Sequence, residues 1–209
     1  MFTGLIEQVG VVAGLEPIES GYRLVVDTDL AAELKAGDSV AVNGVCLTVT
    51  RQSGRRVETE IGPETARVTT LGACGPGTLV NLERPMRPDG HMGGHFVLGH
   101  VDATGVLTEV TVDGEFFWIR VAFDPAFSPY FIPKGSVAVD GISLTVASLH
   151  ERDFTVQIIP FTWEHTNLRG LRAGDRVNLE VDVIGKYVVR VAQLSGAWSG
   201  AVALPPMTS

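Results

Sequence analysis

This chain says nearly the same thing twice. Asn43–Val49 reads NGVCLTV, and 97 positions later (140 minus 43) Asp140–Val146 reads DGISLTV. At the same offset GDSVAVNGVCLTVT (Gly37–Thr50) meets KGSVAVDGISLTVA (Lys134–Ala147), with eight identities in the last twelve columns. Without a gap, ETARVTTL (Glu64–Leu71) then meets FTWEHTNL (Phe161–Leu168), and VNLE (Val80–Glu83) meets VNLE (Val177–Glu180). At the front, MFTGLIEQVGVV pairs with Val97 to Leu107 at an offset of 95, so one copy gained or lost two residues. A period near a hundred residues is too long for a solenoid and matches a small domain. The chain therefore has to fold as two like units in tandem.

Each unit is a series of short runs rich in Val, Leu, Ile and Thr, interrupted by Gly, Asp, Asn or Pro every eight to twelve residues. That spacing predicts an all-β barrel or sandwich. The expected strands are Val9–Leu15, Tyr22–Asp27, Ser39–Val42, Val45–Arg51 and Val57–Ile61. Their repeats are Thr104–Val110, Phe116–Phe123, Ser136–Val139, Ile142–Leu149 and Phe154–Ile159. Brief helices are expected at Asp29–Lys35 and Pro63–Val68, and again at Asp124–Phe131 and Thr162–Asn167.

After the second VNLE the copies diverge. The first runs into a junction, RPMRPDGHMGGHFVLGHVD (Arg84–Asp102), and the second into VIGKYVVRVAQL (Val183–Leu194). There Ile184, Tyr187, Val188, Val191 and Leu194 fall on one helical face. Either the helix packs on its own barrel or it associates with copies of itself. The expected units are thus 1–96, 97–183, a helix over 184–197, and a mobile tail over 198–209.

With 45% hydrophobic residues, the chain can bury one core per half without metals or disulfides. A formal net charge of −8 and the lack of any Lys/Arg cluster argue against nucleic acid or an anionic membrane as partner. The two cysteines, Cys46 and Cys74, have no Cys or His at metal-ligand spacing, so no metal is expected. No basic region precedes the first apolar stretch, and no apolar run reaches membrane-spanning length. The expectation is a cytoplasmic protein with reduced thiols.

The segment GGHFVLGH looks like a phosphate-cradling loop, but the strand-like VDATGVLTEV follows it instead of the helix such a loop requires. Gly93, Gly94 and Gly99 read instead as places of close backbone approach. His91, His95 and His100 cluster in this junction, either solvated or as neutral-pH proton groups. Cys46 reads as inert packing in a β-core or as chemistry. Cys46, Thr48 and Asn43 match Ser143, Thr145 and Asp140 of the other copy, and alternate strand residues share a face. Such pairs can hydrogen-bond a polar heteroaromatic ligand, one in each half.

In order, MFTGLIE, NGVCLTV, PETARVTTLG (Pro63–Gly72), GGHFVLGHVD (Gly93–Asp102), KGSVAVDGISLTV and VNLEVDVIGKYV (Val177–Val188) closely resemble the riboflavin synthase family, over about residues 1–194. The resemblance implies two six-stranded Greek-key barrels and a C-terminal helix that builds a homotrimer. It implies dismutation of two molecules of 6,7-dimethyl-8-ribityllumazine into riboflavin and 5-amino-6-ribitylaminouracil, with no cofactor, and it admits association with lumazine synthase. As catalytic residues it implies Cys46, His95, His100, Ser143, Thr145 and Asp182. As substrate contacts it implies Phe2, Thr3, Gly4, Asn43, Thr48, Thr65, Asn81, Lys134, Asp140, Ile159 and Thr162. Ala66, Val68, Leu98 and Phe161 depart from the family's pattern, which bears on affinity more than on reaction class. A non-catalytic lumazine or flavin carrier or antenna of the same superfamily is the rival reading. Such relatives tend to lose the junction histidines and the first-barrel cysteine, both present here.

The substrates of such a reaction are identical but act as donor and acceptor, and a duplicated domain supplies two similar pockets that can diverge. Mutual orientation of the two rings is worth on the order of 7 to 11 kcal/mol at best. A linker as short as Gly90–Val101 is expected to keep the two pockets of one chain from facing each other, which points to a site between subunits.

Overall fold

The computed structural model describes residues 1–197; the tail expected over 198–209 lies outside the described residues. In the first half, six strands form a closed antiparallel barrel: β1 (Gln8–Ile18), β2 (Gly21–Asp27), β3 (Ser39–Val42), β4 (Val45–Ser53), β5 (Arg56–Ile61) and β6 (Leu79–Glu83). Their order around the barrel is β1-β2-β5-β4-β3-β6, with β1 pairing both β2 and β6.

The second half holds β7 (Ala103–Asp113), β8 (Phe116–Ala122), β9 (Ser136–Val139), β10 (Ile142–Thr145), β11 (Ser148–Leu149), β12 (Asp153–Ile158) and β13 (Arg176–Val181). It is a curled sheet of seven strands, ordered β10-β9-β13-β7-β8-β12-β11. Its two ends, β10 and β11, are pieces of the single strand expected over Ile142–Leu149, interrupted at Val146 and Ala147. The matching place in β4 carries a bulge between Val49 and Arg51, where the Thr50 hydroxyl donates to the Glu58 carbonyl at 3.1 Å. Ala147 has no hydroxyl and offers only its amide, to Thr155 at 2.8 Å. The bulge of one copy corresponds to a break in the other, so the first unit is a closed barrel and the second a curled half-barrel.

Short helices follow the equivalent strands β5 and β12: α1 (Pro63–Val68) and α2 (Pro160–Glu164), each led by a proline whose fixed φ suits a first helical turn. Single 3-10 segments at Asp29–Glu33 and Pro125–Tyr130 occupy the other two expected helical positions. The final helix, α3, runs Val183–Leu194. Only Val189 of it is buried, while Ile184, Tyr187, Val188, Val191 and Leu194 are 56–71% exposed. Packing of the apolar stripe on its own barrel is thus not what the fold shows. Among the described residues no helix is long and apolar enough to cross a membrane.

Each unit has its own core, one around Leu24, Val40, Val49 and Ile61 and one around Ile119, Val121, Phe154 and Ile158. What joins them is a second, polar repetition. Asn43-Gly44 and Asp140-Gly141 are two-residue hairpin loops at positive φ (46° and 75°, 45° and 79°), the conformation for which Asn-Gly and Asp-Gly are chosen. The two turns meet tip to tip: a Cβ on Gly44 would lie 2.7 Å from the Gly141 nitrogen, and the converse distance is also 2.7 Å.

Around the turns, Asn81 Nδ2 donates to the Asp140 carbonyl and Asn178 Nδ2 to the Asn43 carbonyl, both at 2.9 Å. Asn43 Oδ1 accepts the Asn81 amide and Asp140 Oδ1 the Asn178 amide, both at 2.7 Å. Every one of these groups is buried, so breaking one bond strands its partner at a cost of about 1–3 kcal/mol. The network fixes one relative placement of the barrels.

Candidate active site

Along β4, Val45, Leu47 and Val49 point into the barrel, which turns Cys46 half-buried and Thr48 exposed onto its outer face. Cys46 is therefore not a core residue of the barrel. On β10 the same alternation turns Ser143 and Thr145 outward. Register adds a neighbour to each pair: Ser39 lies opposite Thr48, and Ser136 lies opposite Thr145. Two matched half-sites result, one on each barrel.

Each half-site is completed by the other barrel's leading segment. The Cys46 amide donates to the Gly99 carbonyl at 2.9 Å, and the Ser143 amide donates to the Gly4 carbonyl at 2.8 Å. Both glycines have positive φ, and a Cβ on either would come within 2.5–2.6 Å of the Cβ it faces, so nothing larger fits. The segments cross at an antiparallel bridge between Phe2 and Val97, packed with Ala41 and Ala138.

Buried carboxylates grip the exchanged segments. Glu83 accepts the amides of Thr3 and Gly4 at 2.7 and 3.0 Å and the Thr3 hydroxyl at 2.8 Å. Glu180, its repeat, accepts the amides of Leu98, Gly99 and His100 at 2.7, 3.0 and 3.1 Å. Burial raises the pKa of both acids, and the amide donors act in the opposite direction.

The junction thus runs from one half-site to the other. Gly94 packs against Ser143, whose hydroxyl lies 2.7 Å from His95 Nδ1. His95 is only 8% exposed, and its Nε2 is buried without a partner. Burial holds this imidazole below its usual pKa, with the nearby Asp182 acting the other way. A neutral imidazole on a serine hydroxyl can take or return a proton through that oxygen. At the far end, Gly99 lies against Cys46, and His100 follows it in the chain with its amide on Glu180.

The other expected residues fall into three groups. Lys134 holds a left-handed backbone (φ 65°) where the first copy has Gly37, and its amide donates to the Val146 carbonyl beside Thr145. A long side chain kept at a glycine position is a strained feature of the kind found at functional sites. Thr65, Thr162 and Ile159 stand on or beside the equivalent helices α1 and α2, and Asp182 caps α3 through the Ile184 amide at 2.9 Å. Phe2, Asn43, Asn81 and Asp140 lie in the buried joint behind the half-sites, with the three polar side chains hydrogen-bonded there.

Ser39, Ser136, Glu83 and Glu180 were not singled out in the sequence. The glutamates had a signal, as a charge ending a repeated apolar strand in each VNLE. A cleft of about 660 Å³ opens at the joint beside Cys74, Asn43 and Asp140, and one of about 740 Å³ opens between Thr3, Ser39, Glu83, Arg84 and His91, on the flank of the first-barrel half-site. Neither is lined by Cys46 or Ser143, whose half-sites lie on open outer faces.

Comparison with known proteins adds the following. The family described as the lumazine binding domain matches twice, at residues 3–85 and 98–182. Riboflavin synthase of Actinobacillus pleuropneumoniae is 43% identical over 191 residues, covering 90% of this chain and 88% of that one. The Mycobacterium tuberculosis protein of that name is 42% identical over 201 residues, covering 94% and 100%. A crystal structure of LumP complexed with riboflavin superposes with a TM-score of 0.80 at 22% identity, over 87% of this chain and 99% of that one, and shows the shared fold.

Proposed function

This chain belongs to the riboflavin synthase family, and from that membership we propose how its two half-sites work together. The enzyme is a transferase: one 6,7-dimethyl-8-ribityllumazine gives four carbons to a second, yielding riboflavin and 5-amino-6-ribitylaminouracil. What leaves one ring is what the other gains, so atoms and electrons balance between the two substrates.

The observation that carries the reading is the matched pair of half-sites, Cys46 with Thr48 facing Gly99, and Ser143 with Thr145 facing Gly4. Each holds one lumazine, with donor and acceptor distinguished by how the copies have diverged. Ser143 and His95 exchange a proton with one ring. Cys46, with His100 one residue beyond the glycine it faces, adds to or protonates the other. Lys134, Thr65, Thr162 and Ile159 contact substrate, and Asp182 acts through His95 and α3.

Five residues of extended chain from Gly94 to Gly99 reach at most about 18 Å. The half-sites of one chain are held at the two ends of that segment, on separate outer faces. Among the described residues nothing covers the apolar stripe of α3, and self-association of that helix brings the first barrel of one chain against the second of the next. A homotrimer of cytoplasmic location, with units 1–96 and 97–183 and association with lumazine synthase open to it, follows from the family reading.

The test is turnover: purified protein and lumazine, with nothing added, yield riboflavin and the pyrimidine in equal amounts. Tight binding without product would favour a carrier instead. Tyr187→Asp with Val191→Asp should leave folded barrels, smaller oligomers and little turnover.

A further inference from the structure

Each exchanged segment re-enters its own barrel through a second anchor, and the two anchors differ in one respect. Past Gly4, the Glu7 amide donates to the Leu82 carbonyl at 2.9 Å, and past Gly99 the Asp102 amide donates to the Leu179 carbonyl at 2.9 Å. The two carboxylates are repeats: Glu7 Oε1 accepts the Arg84 amide at 2.7 Å, and Asp102 Oδ2 accepts the Val181 amide at 2.9 Å. Each of these two carboxylates also pairs with a cation. In the first barrel Arg84 itself supplies one, at 2.6 Å, from the residue that follows β6. In the second, the residue equivalent to Arg84 is Val181, which carries no charge. The cation comes instead from α3, where Lys186 Nζ lies 2.6 Å from Asp102 Oδ1 with both side chains largely buried (22% and 16% exposed).

We propose that Lys186 is a positioning residue: through Asp102 it fixes the Gly99–His100 segment against Cys46, so the first-barrel half-site depends on how α3 is seated. This rests on the reading of Cys46 and His100 as part of the reaction site. The path is short and continuous. Lys186 holds Asp102, Asp102 lies two residues from His100, and the Gly99 carbonyl takes the Cys46 amide. Glu180 accepts the Gly99 and His100 amides and stands in the field of both Lys186 and Asp102. Without the ammonium, Asp102 is left as a buried carboxylate with one backbone donor. The same helix carries the uncovered stripe, so assembly through α3 and the state of the Cys46 half-site share one ion pair.

The test compares full-length Lys186→Met, Asp102→Asn, the double variant and, as the twin anchor, Arg84→Met. Three quantities are read: steady-state kinetics, oligomer mass by light scattering, and the rate at which iodoacetamide labels Cys46, resolved from Cys74 by peptide mass. Misplacement of a segment by an ångström costs on the order of 10- to 100-fold in rate. Lys186→Met and Asp102→Asn should each lower kcat by that amount with KM within about 3-fold, and the double variant should be no worse than either. Oligomer mass should stay at the wild-type value, and Cys46 should label faster, while Arg84→Met leaves its labelling rate unchanged. Unchanged kcat and labelling in Lys186→Met would overturn the proposal. So would a loss that tracks a smaller oligomer, multiplicative effects in the double variant, or equal loosening by Arg84→Met. Should the wild type make no riboflavin, the family reading fails on its own, and the Cys46 labelling rates still decide what Lys186 does.

Discussion

Gly99 lies so close to Cys46 that a β-carbon there would sit 2.5 Å from the cysteine's own Cβ, at a backbone φ of +80°. Sterics and conformation both demand glycine at this contact. Gly99→Ala should destabilise the protein by about 2–3 kcal/mol and abolish most turnover. Gly75→Ala, at a glycine with nothing within 4 Å, should stay within about 0.5 kcal/mol. Urea midpoints of the two variants check this, and equal stabilities would mean that the exchanged segment is not tightly docked.

Cys46→Ser should fold with stability within about 1 kcal/mol of wild type, since Ser143 occupies the matching place against Gly4. Riboflavin formation should fall by about 10-fold or more if the thiol takes part in the chemistry. A variant with wild-type kinetics would return Cys46 to a packing role.

Much of this was legible in the chain, for physical reasons. Strand alternation alone puts Cys46 with Thr48 and Ser143 with Thr145 on shared faces, and the three-four spacing of Ile184 to Leu194 marks the stripe that the fold leaves uncovered. The exchange of segments was not legible. A repeat says that Gly4 and Gly99 are equivalent, but not onto which copy each one docks. Nor does a buried polar residue name its partner: the sequence does not say that Asn43, Asn81 and Asp140 hydrogen-bond to one another's repeats across the joint. The break at Val146–Ala147 falls where the repeat has only a bulge, and the Lys186–Asp102 pair depends on the seating of a helix.

Asp140 gives the joint a pH dependence. Burial pushes its carboxyl up from 3.8 to about 6, with the Asn178 amide and the Asn167 side chain pulling the other way. Between those values the folded chain keeps a proton that the unfolded chain has released. The stabilisation is full below the unfolded pKa and is lost as pH rises through about 6. Asp140→Asn carries no such proton. The stability of wild type relative to this variant should therefore decrease from pH 4.5 to pH 7, read by urea denaturation at each pH; a constant difference would show that Asp140 does not titrate there.

Lys134 occupies a backbone conformation that its repeat gives to Gly37. Lys134→Gly relieves the left-handed strain while adding unfolded-state entropy, so stability should stay within about 1 kcal/mol. KM for the lumazine should nonetheless rise on the order of 10-fold, the worth of one charge-assisted contact. Unchanged kinetics would leave the strained lysine without a role in binding.

The central claim is that donor and acceptor meet between chains, one on the Cys46 half-site of the first and one on the Ser143 half-site of the second. Subunit mixing tests it most directly. One chain carries Cys46→Ala, the other Ser143→Ala with Thr145→Ala, and each alone should be nearly inactive. Refolded together, with mixed oligomers verified by mass, they should regain a substantial fraction of wild-type riboflavin formation, because some junctions then join two intact barrels. Mixed oligomers that remain as inactive as their parents would place both substrates within one chain and contradict the account.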